Sequence, residues 1–290
     1  MQHLAELLSL KGHKRFLESP LRQPTPEHFP DPWSPDARGV RTMLQRLLSY
    51  AGLGDLQVEL QMAGTRTSVH LIQETGASAL HAAAWFAGID DGVARFGYDL
   101  EHVHNPDAMA GILAHEVCHS YRHYHELNET HPSIEEGLTD LTTVFLGFGV
   151  LTANIATLAP HKLGNKALSY LTALDLTYLL AAQVVARGAD PVPIAEKLAY
   201  SPRRYFTAAC DQLTKRRAAL LEELGLPLKG ARLFNEGKTV TLVPIRRWGV
   251  FTRYQCSGPG CGAPLRQQDM VCGNCGGKVS GGLERLMGLS

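Results

Sequence analysis

The apolar positions of the chain follow two rhythms. Val40, Met43, Leu44, Leu47 and Leu48 recur at helical spacing behind Ser34-Pro35-Asp36, a good helix opening. Ahead of them, residues 1–36 read as a short helix followed by a connector rich in proline, from Pro20 to Pro35. From 56 to 62 the pattern changes to the alternation of a strand, and the β-branched run 68–73 is expected to follow as another. Residues 82–89 and 93–98 flank Asp90-Asp91-Gly92, a turn signal that predicts a hairpin. A small, mostly antiparallel sheet is therefore expected before residue 100.

Beyond it the helical rhythm returns. Asn105 is placed to cap a helix with Pro106 at its first position, and helical character runs to about residue 127. Pro132-Ser133 opens a second helix, which carries Glu136 and Asp140 into the uncharged stretch 141–160. That stretch is about long enough to span a bilayer, but its four threonines and Asn154 favour a buried helix. The apolar run 168–186 has Asp175 in its middle, which would be costly in lipid. Further helices fill 162–224, with Gly225 and Pro227 as the stop. Strands at 240–243 and 250–254 lead into a cysteine-bearing C-terminus.

Composition narrows the class. An apolar fraction of 44% with 19% charged residues is that of a globular protein. Zero formal net charge leaves no field to attract a polyanion, so nucleic acid is not an expected partner. The N-terminus lacks the basic start and apolar run of a signal peptide. Six cysteines are too sparse for a disulfide scaffold, and four of them form two close pairs, as metal ligands do in a reducing compartment. A cytoplasmic location is expected.

The chemistry concentrates in Ala114-His115-Glu116-Val117-Cys118-His119, which contains H-E-x-x-H. On a helix, residues four apart lie about 40° apart around the axis and roughly 6 Å along it, so both imidazoles can reach one ion. Glu116, beside the first histidine, can address a zinc-bound water, whose pKa the metal lowers towards about 7. A catalytic zinc usually needs a third protein ligand. His125 completes an H-E-x-x-H-x-x-R-x-x-H pattern, but Arg122 stands where metzincins have a helix-breaking glycine. Without a break His125 lies roughly 15 Å along the axis from His115 and about 80° off its face. Glu136 is the other candidate, with Asp140 on the same face at i+4. Glu135 is its neighbour, at the wrong spacing to Asp140.

Here the sequence resembles the gluzincin metallopeptidases, in which a helix downstream of H-E-x-x-H carries E-x-x-x-D. The match is Glu136-Gly137-Leu138-Thr139-Asp140, and the likeness covers roughly residues 93–150. The resemblance implies that His115, His119 and Glu136 bind zinc, that Glu116 is the catalytic base and that Asp140 accepts a hydrogen bond from His115 Nδ1. The residue that stabilises the oxyanion is not readable; His161, Arg203, Arg204 and Tyr205 are the candidates. Cys118 reads as a buried thiol and Cys210 as a core residue.

Cys256-x4-Cys261 and Cys272-x2-Cys275 form two pairs, with glycines after Cys261 and Cys275 that permit the tight turns of a four-thiolate zinc ribbon. A ribbon so short depends on its metal to fold. Its expected use is to face a protein partner or to cap the catalytic domain. The expected architecture is α+β: an extension over 1–36, a zincin-like domain over 37–229 with a small sheet beside the active-site helix, a strand segment and ribbon over 230–283, and a tail over 284–290. The expected function is a zinc metallopeptidase with one catalytic and one structural zinc, acting on a peptide or protein. The alternatives are a non-catalytic zinc protein that binds partners through its ribbon, and a zinc hydrolase of other amides.

Overall fold

The computed structural model describes residues 1–62, 83–99, 104–157, 170–226, 239–246, 252–258, 264–265, 272 and 277–280. The expected strand at 68–73, together with His102, His161, Pro227, Cys261 and Cys275, lies outside the described residues. The chain forms two compact units, one made of Pro20–Gln212 and the other of Met1–Ser19 with Leu213–Ser290. Both helices and strands are present, so the class is α+β.

The unit over Pro20–Gln212 begins its regular structure with α1 (Ala37–Ala51). Asp36 caps it by accepting from the amides of Arg38 and Gly39, and the five apolar residues read from the sequence are all buried. The sheet has β1 (Gln57–Met62), β2 (Ala84–Asp90) and β3 (Val93–Tyr98), in the order β1-β3-β2. The hairpin forms where it is expected, with Asp91 at φ 48° and Gly92 at φ 76° in its turn. The sheet is not mostly antiparallel, however, because β1 pairs in parallel with β3. Local signals report the turn between β2 and β3. They say nothing of which edge a distant strand will join. A register shift between Phe86 and Gly88 bulges β2 beside the site described below.

Among the described residues, five helices of at least seven residues follow in this unit: α2 (Pro106–Tyr124), α3 (Pro132–Phe145), α4 (Gly149–Ile155), α5 (Ala173–Arg187) and α7 (Tyr200–Lys215), which continues past its end. The short α6 (Val192–Ala195) lies between the last two. Helix α2 is the hub, packed by α1, β2, α3 and α4. Gly111 makes room for α4, since a Cβ there would lie 2.6 Å from Ile155 Cγ2 and 2.8 Å from the Leu151 carbonyl oxygen.

The uncharged stretch after Asp140 is two helices rather than one. The break falls at Gly147, whose φ of 88° suits glycine. Its hydroxyls are satisfied inside the unit. Thr142 donates to the Leu138 carbonyl, Thr143 donates to that of Asp140, and Thr143 and Thr152 share a hydrogen bond of 2.9 Å. Asn154 accepts from the Ala199 amide and donates to the Lys197 carbonyl. Asp175 is no mid-helix charge, because it closes a capping box with Thr172 at the start of α5. Among the described residues no helix is long and apolar enough to cross a membrane.

The other unit carries two N-terminal helices, Gln2–Lys11 and His13–Glu18, the helix Arg217–Glu223, and short strands between Thr239 and Val279. Cys256 and Cys272 are buried with Val240, Leu265 and Val279 in a small core. The Gly258 amide donates to Cys256 Sγ at 3.3 Å.

Candidate metal centre

Helix α2 is built to present its histidines from a rigid frame. Asn105 Oδ1 accepts from the Asp107 and Ala108 amides, and Pro106 fills the first turn. Ile112, Leu113, Val117 and Cys118 anchor its buried side. His115 and His119 then fall on one face, their ring centroids 4.8 Å apart. Helix α3 crosses this face and supplies the rest.

Glu136 Oε2 lies 3.2 Å from His115 Nε2 and 3.5 Å from His119 Nε2. One ligand atom from each of the three residues falls within 4.8 Å of the others, so the group could hold a metal ion. Two donors on a common tetrahedral ion, each about 2.1 Å away, stand about 3.4 Å apart. The two measured spacings bracket that value. Side-chain exposure is 9% for His115, 17% for His119 and 42% for Glu136, so the group opens to solvent on the Glu136 side.

The same helix fixes both imidazoles from behind. His115 Nδ1–H donates to Asp140 Oδ1 at 2.8 Å, the partner the resemblance implies. His119 Nδ1 and Thr139 Oγ1 share a hydrogen bond of 3.2 Å. These partners occupy Nδ1 of each ring and leave each Nε2 on the Glu136 side as the nitrogen that could bind a metal. Asp140 is fully buried, and its other oxygen accepts from the Tyr170 and Leu171 amides, each at 2.7 Å.

The electrostatics favour positive charge. Burial pushes the His115 imidazole down, but Asp140 and Glu136 more than reverse that and hold it well above its ordinary value. Burial pushes the Glu136 carboxyl up, and the two histidines outweigh it, leaving the group well below the carboxylate range. The same carboxylates give the group the negative charge that a bound metal ion would need.

Glu116 stands outside the ligand group. Its Oε2 accepts from the Phe86 amide of β2 at 2.8 Å. Burial raises its pKa against the opposing pull of His119 and His115. A raised carboxylate beside a cation is suited to accept a proton and give it back.

The structure thus brings together His115, Glu116, His119, Glu136 and Asp140. His125 ends α2 and packs its ring on Tyr121 and Tyr124 at 4.3 and 5.2 Å. Arg203 bonds the carbonyls of Glu196 and Leu198, and Arg204 lies over Tyr200; neither contact brings these cations to the triad. Sequence reasoning missed Thr139, the Phe86 amide and the Tyr170–Leu171 amides. Thr139 was within reach, because it lies three residues past Glu136 on the same helix. The amides carry no residue-type signal at all.

Among the described residues no second metal-ligating group of three or more side chains is gathered. Cys256 and Cys272 are buried thiols, and the other halves of their pairs, Cys261 and Cys275, lie outside the described residues. Cys118 and Cys210 are buried as expected, and burial pushes the Cys210 thiol up to about 12. Compared with known protein families, curated proteins and solved structures, the chain matches none.

Proposed function

We propose that the chain is a zinc-dependent peptidase of gluzincin type, with zinc held by His115, His119 and Glu136. The observation that carries this reading is the placement of Glu116, a carboxylate beside the triad but not of it, fixed by the Phe86 amide at 2.8 Å. A purely structural metal site has no need of such a group. Two imidazoles and one carboxylate suit zinc better than calcium or magnesium, which favour oxygen ligands.

Bound there, zinc would polarise a substrate carbonyl and bring the pKa of water into the neutral range. The chain's own residues do the rest. Phe86 N–H holds Glu116 Oε2 and leaves Oε1 to take a proton from the attacking water and return it to the leaving nitrogen. Asp140 and Thr139 occupy Nδ1 of each imidazole and so keep both Nε2 atoms available. Among the described residues β2 pairs only with β3, and its Phe86 amide points the other way, towards Glu116. An extended chain laid beside β2 would carry its carbonyls past Glu116, which favours a peptide over other amides.

The C-terminal cysteines are read as a structural zinc ribbon facing a protein partner or capping its neighbour. The burial of Cys256 and Cys272 and the Gly258 amide aimed at Cys256 sulfur support it. The cytoplasmic setting is proposed on the cysteines of the sequence, which are few and fall mostly in two metal-like pairs.

Metal removal tests the proposal. The protein is incubated with a random peptide library before and after treatment with a chelator and after zinc is restored. Cleavage is expected to vanish with the chelator and return with zinc. Cleavage that persists in metal-stripped protein would overturn the reading.

A further inference from the structure

Helix α3 presents two adjacent glutamates to the foot of α2, and only Glu136 turns to the two imidazole Nε2 atoms. Glu135 is taken by Arg122, whose side chain is 4% exposed. The pairing is two-pronged, with Arg122 Nε donating to Glu135 Oε1 and Nη2 to Oε2, both at 2.8 Å. The same Nη2 donates to the Leu127 carbonyl at 2.6 Å, and Glu135 Oε2 also accepts from the Glu129 amide at 2.8 Å. The guanidinium thus ties the end of α2, the turn after it and the first turn of α3 into one network. The planar fork matters, because an ammonium could not make both parallel bonds.

The competition this network settles is visible in the distances. Glu135 Oε1 lies 4.0 Å from His119 Nδ1, which already has Thr139 Oγ1 at 3.2 Å. Neighbours on a helix diverge by about 100°, so the rotation of α3 decides which of the two carboxylates faces the imidazole Nε2 atoms.

We infer that Arg122 and Glu135 are a positioning pair that selects Glu136 as the carboxylate facing the metal, by tying the first turn of α3 to the end of α2 and so fixing the rotation of α3. The inference rests on the metal-site reading above. Arg122 acts through Glu135 and touches neither metal nor substrate.

The test is cobalt(II) titration, followed by visible absorption, of the whole chain, with Glu136→Ala marking which absorption belongs to the His115–His119–Glu136 group. The variants are Arg122→Met, the double variant Arg122→Met/Glu135→Met, and Glu136→Ala as reference. Removing an outer partner of a metal ligand typically weakens binding about 10–100-fold. Arg122→Met is expected to bind cobalt at least about tenfold more weakly, with altered absorption bands. The double variant replaces the whole buried pair by apolar side chains, which folded proteins often tolerate. It should keep the wild-type circular dichroism and thermal midpoint but share the weakened binding and altered bands. Wild-type binding and bands in the folded double variant would overturn the positioning role and leave the pair to the fold alone. Failure of the metal-site reading looks different, as undiminished cobalt binding in Glu136→Ala.

Discussion

Glu116→Gln is expected to lower peptide hydrolysis by at least about a hundredfold while leaving the metal content and the fold as they are. A positioned general acid–base contributes about 10²–10⁴ in rate, equivalent to about 3–5 kcal/mol of barrier. The replacement keeps the size of the side chain, and its carbonyl oxygen can still accept from the Phe86 amide. Position is therefore conserved and basicity lost. Because Glu116 lies outside the ligand group, metal binding has no reason to change. Steady-state cleavage and elemental analysis on the same preparation separate the two effects. More than a tenth of wild-type activity in a zinc-loaded Glu116→Gln protein would remove the residue from the role of base.

Asp140→Asn is expected to weaken zinc binding about 10–100-fold. The mechanism is a change of tautomer. Asp140 Oδ1 accepts the Nδ1 proton of His115 at 2.8 Å, and Oδ2 accepts from two backbone amides at 2.7 Å. In the asparagine variant the amide oxygen stays with the backbone donors, and the NH2 group then faces His115 Nδ1. That favours the ring with its proton on Nε2, the atom that must bind the metal. Volume and most hydrogen bonds are retained, so the thermal midpoint of the metal-free protein should fall much less than affinity. Competition with a chromophoric chelator measures the loss. Affinity equal to wild type would mean that Asp140 serves the fold and does not orient the ligand.

Much of this site could be read from the sequence because helices impose a spacing on it. The four-residue separation of His115 and His119 and that of Glu136 and Asp140 each place two side chains on one face, and the cap at Asn105 and the proline that opens the second helix at Pro132 locate both helices. What the sequence does not state is how α2 and α3 cross, because that depends on packing between residues far apart in the chain. The crossing is what turns Glu136 to Nε2 and Glu135 to Arg122. Arg122 was legible only as a missing glycine; its work at the foot of α3 depends on burial and on a two-pronged contact. The parallel pairing of β1 with β3 was hidden for a similar reason, since a hairpin signal is local and the choice of its free edge is not. Where backbone atoms do the work, as at Phe86, Tyr170 and Leu171, residue identity carries no signal.

Zinc per chain, measured by elemental analysis on wild type and Glu136→Ala purified side by side and dialysed against a weak chelator, tests the centre most directly. About two zinc ions are expected in wild type, one at each proposed site, and about one fewer in Glu136→Ala. Equal zinc in the two proteins would contradict the assignment of His115, His119 and Glu136 as a metal centre.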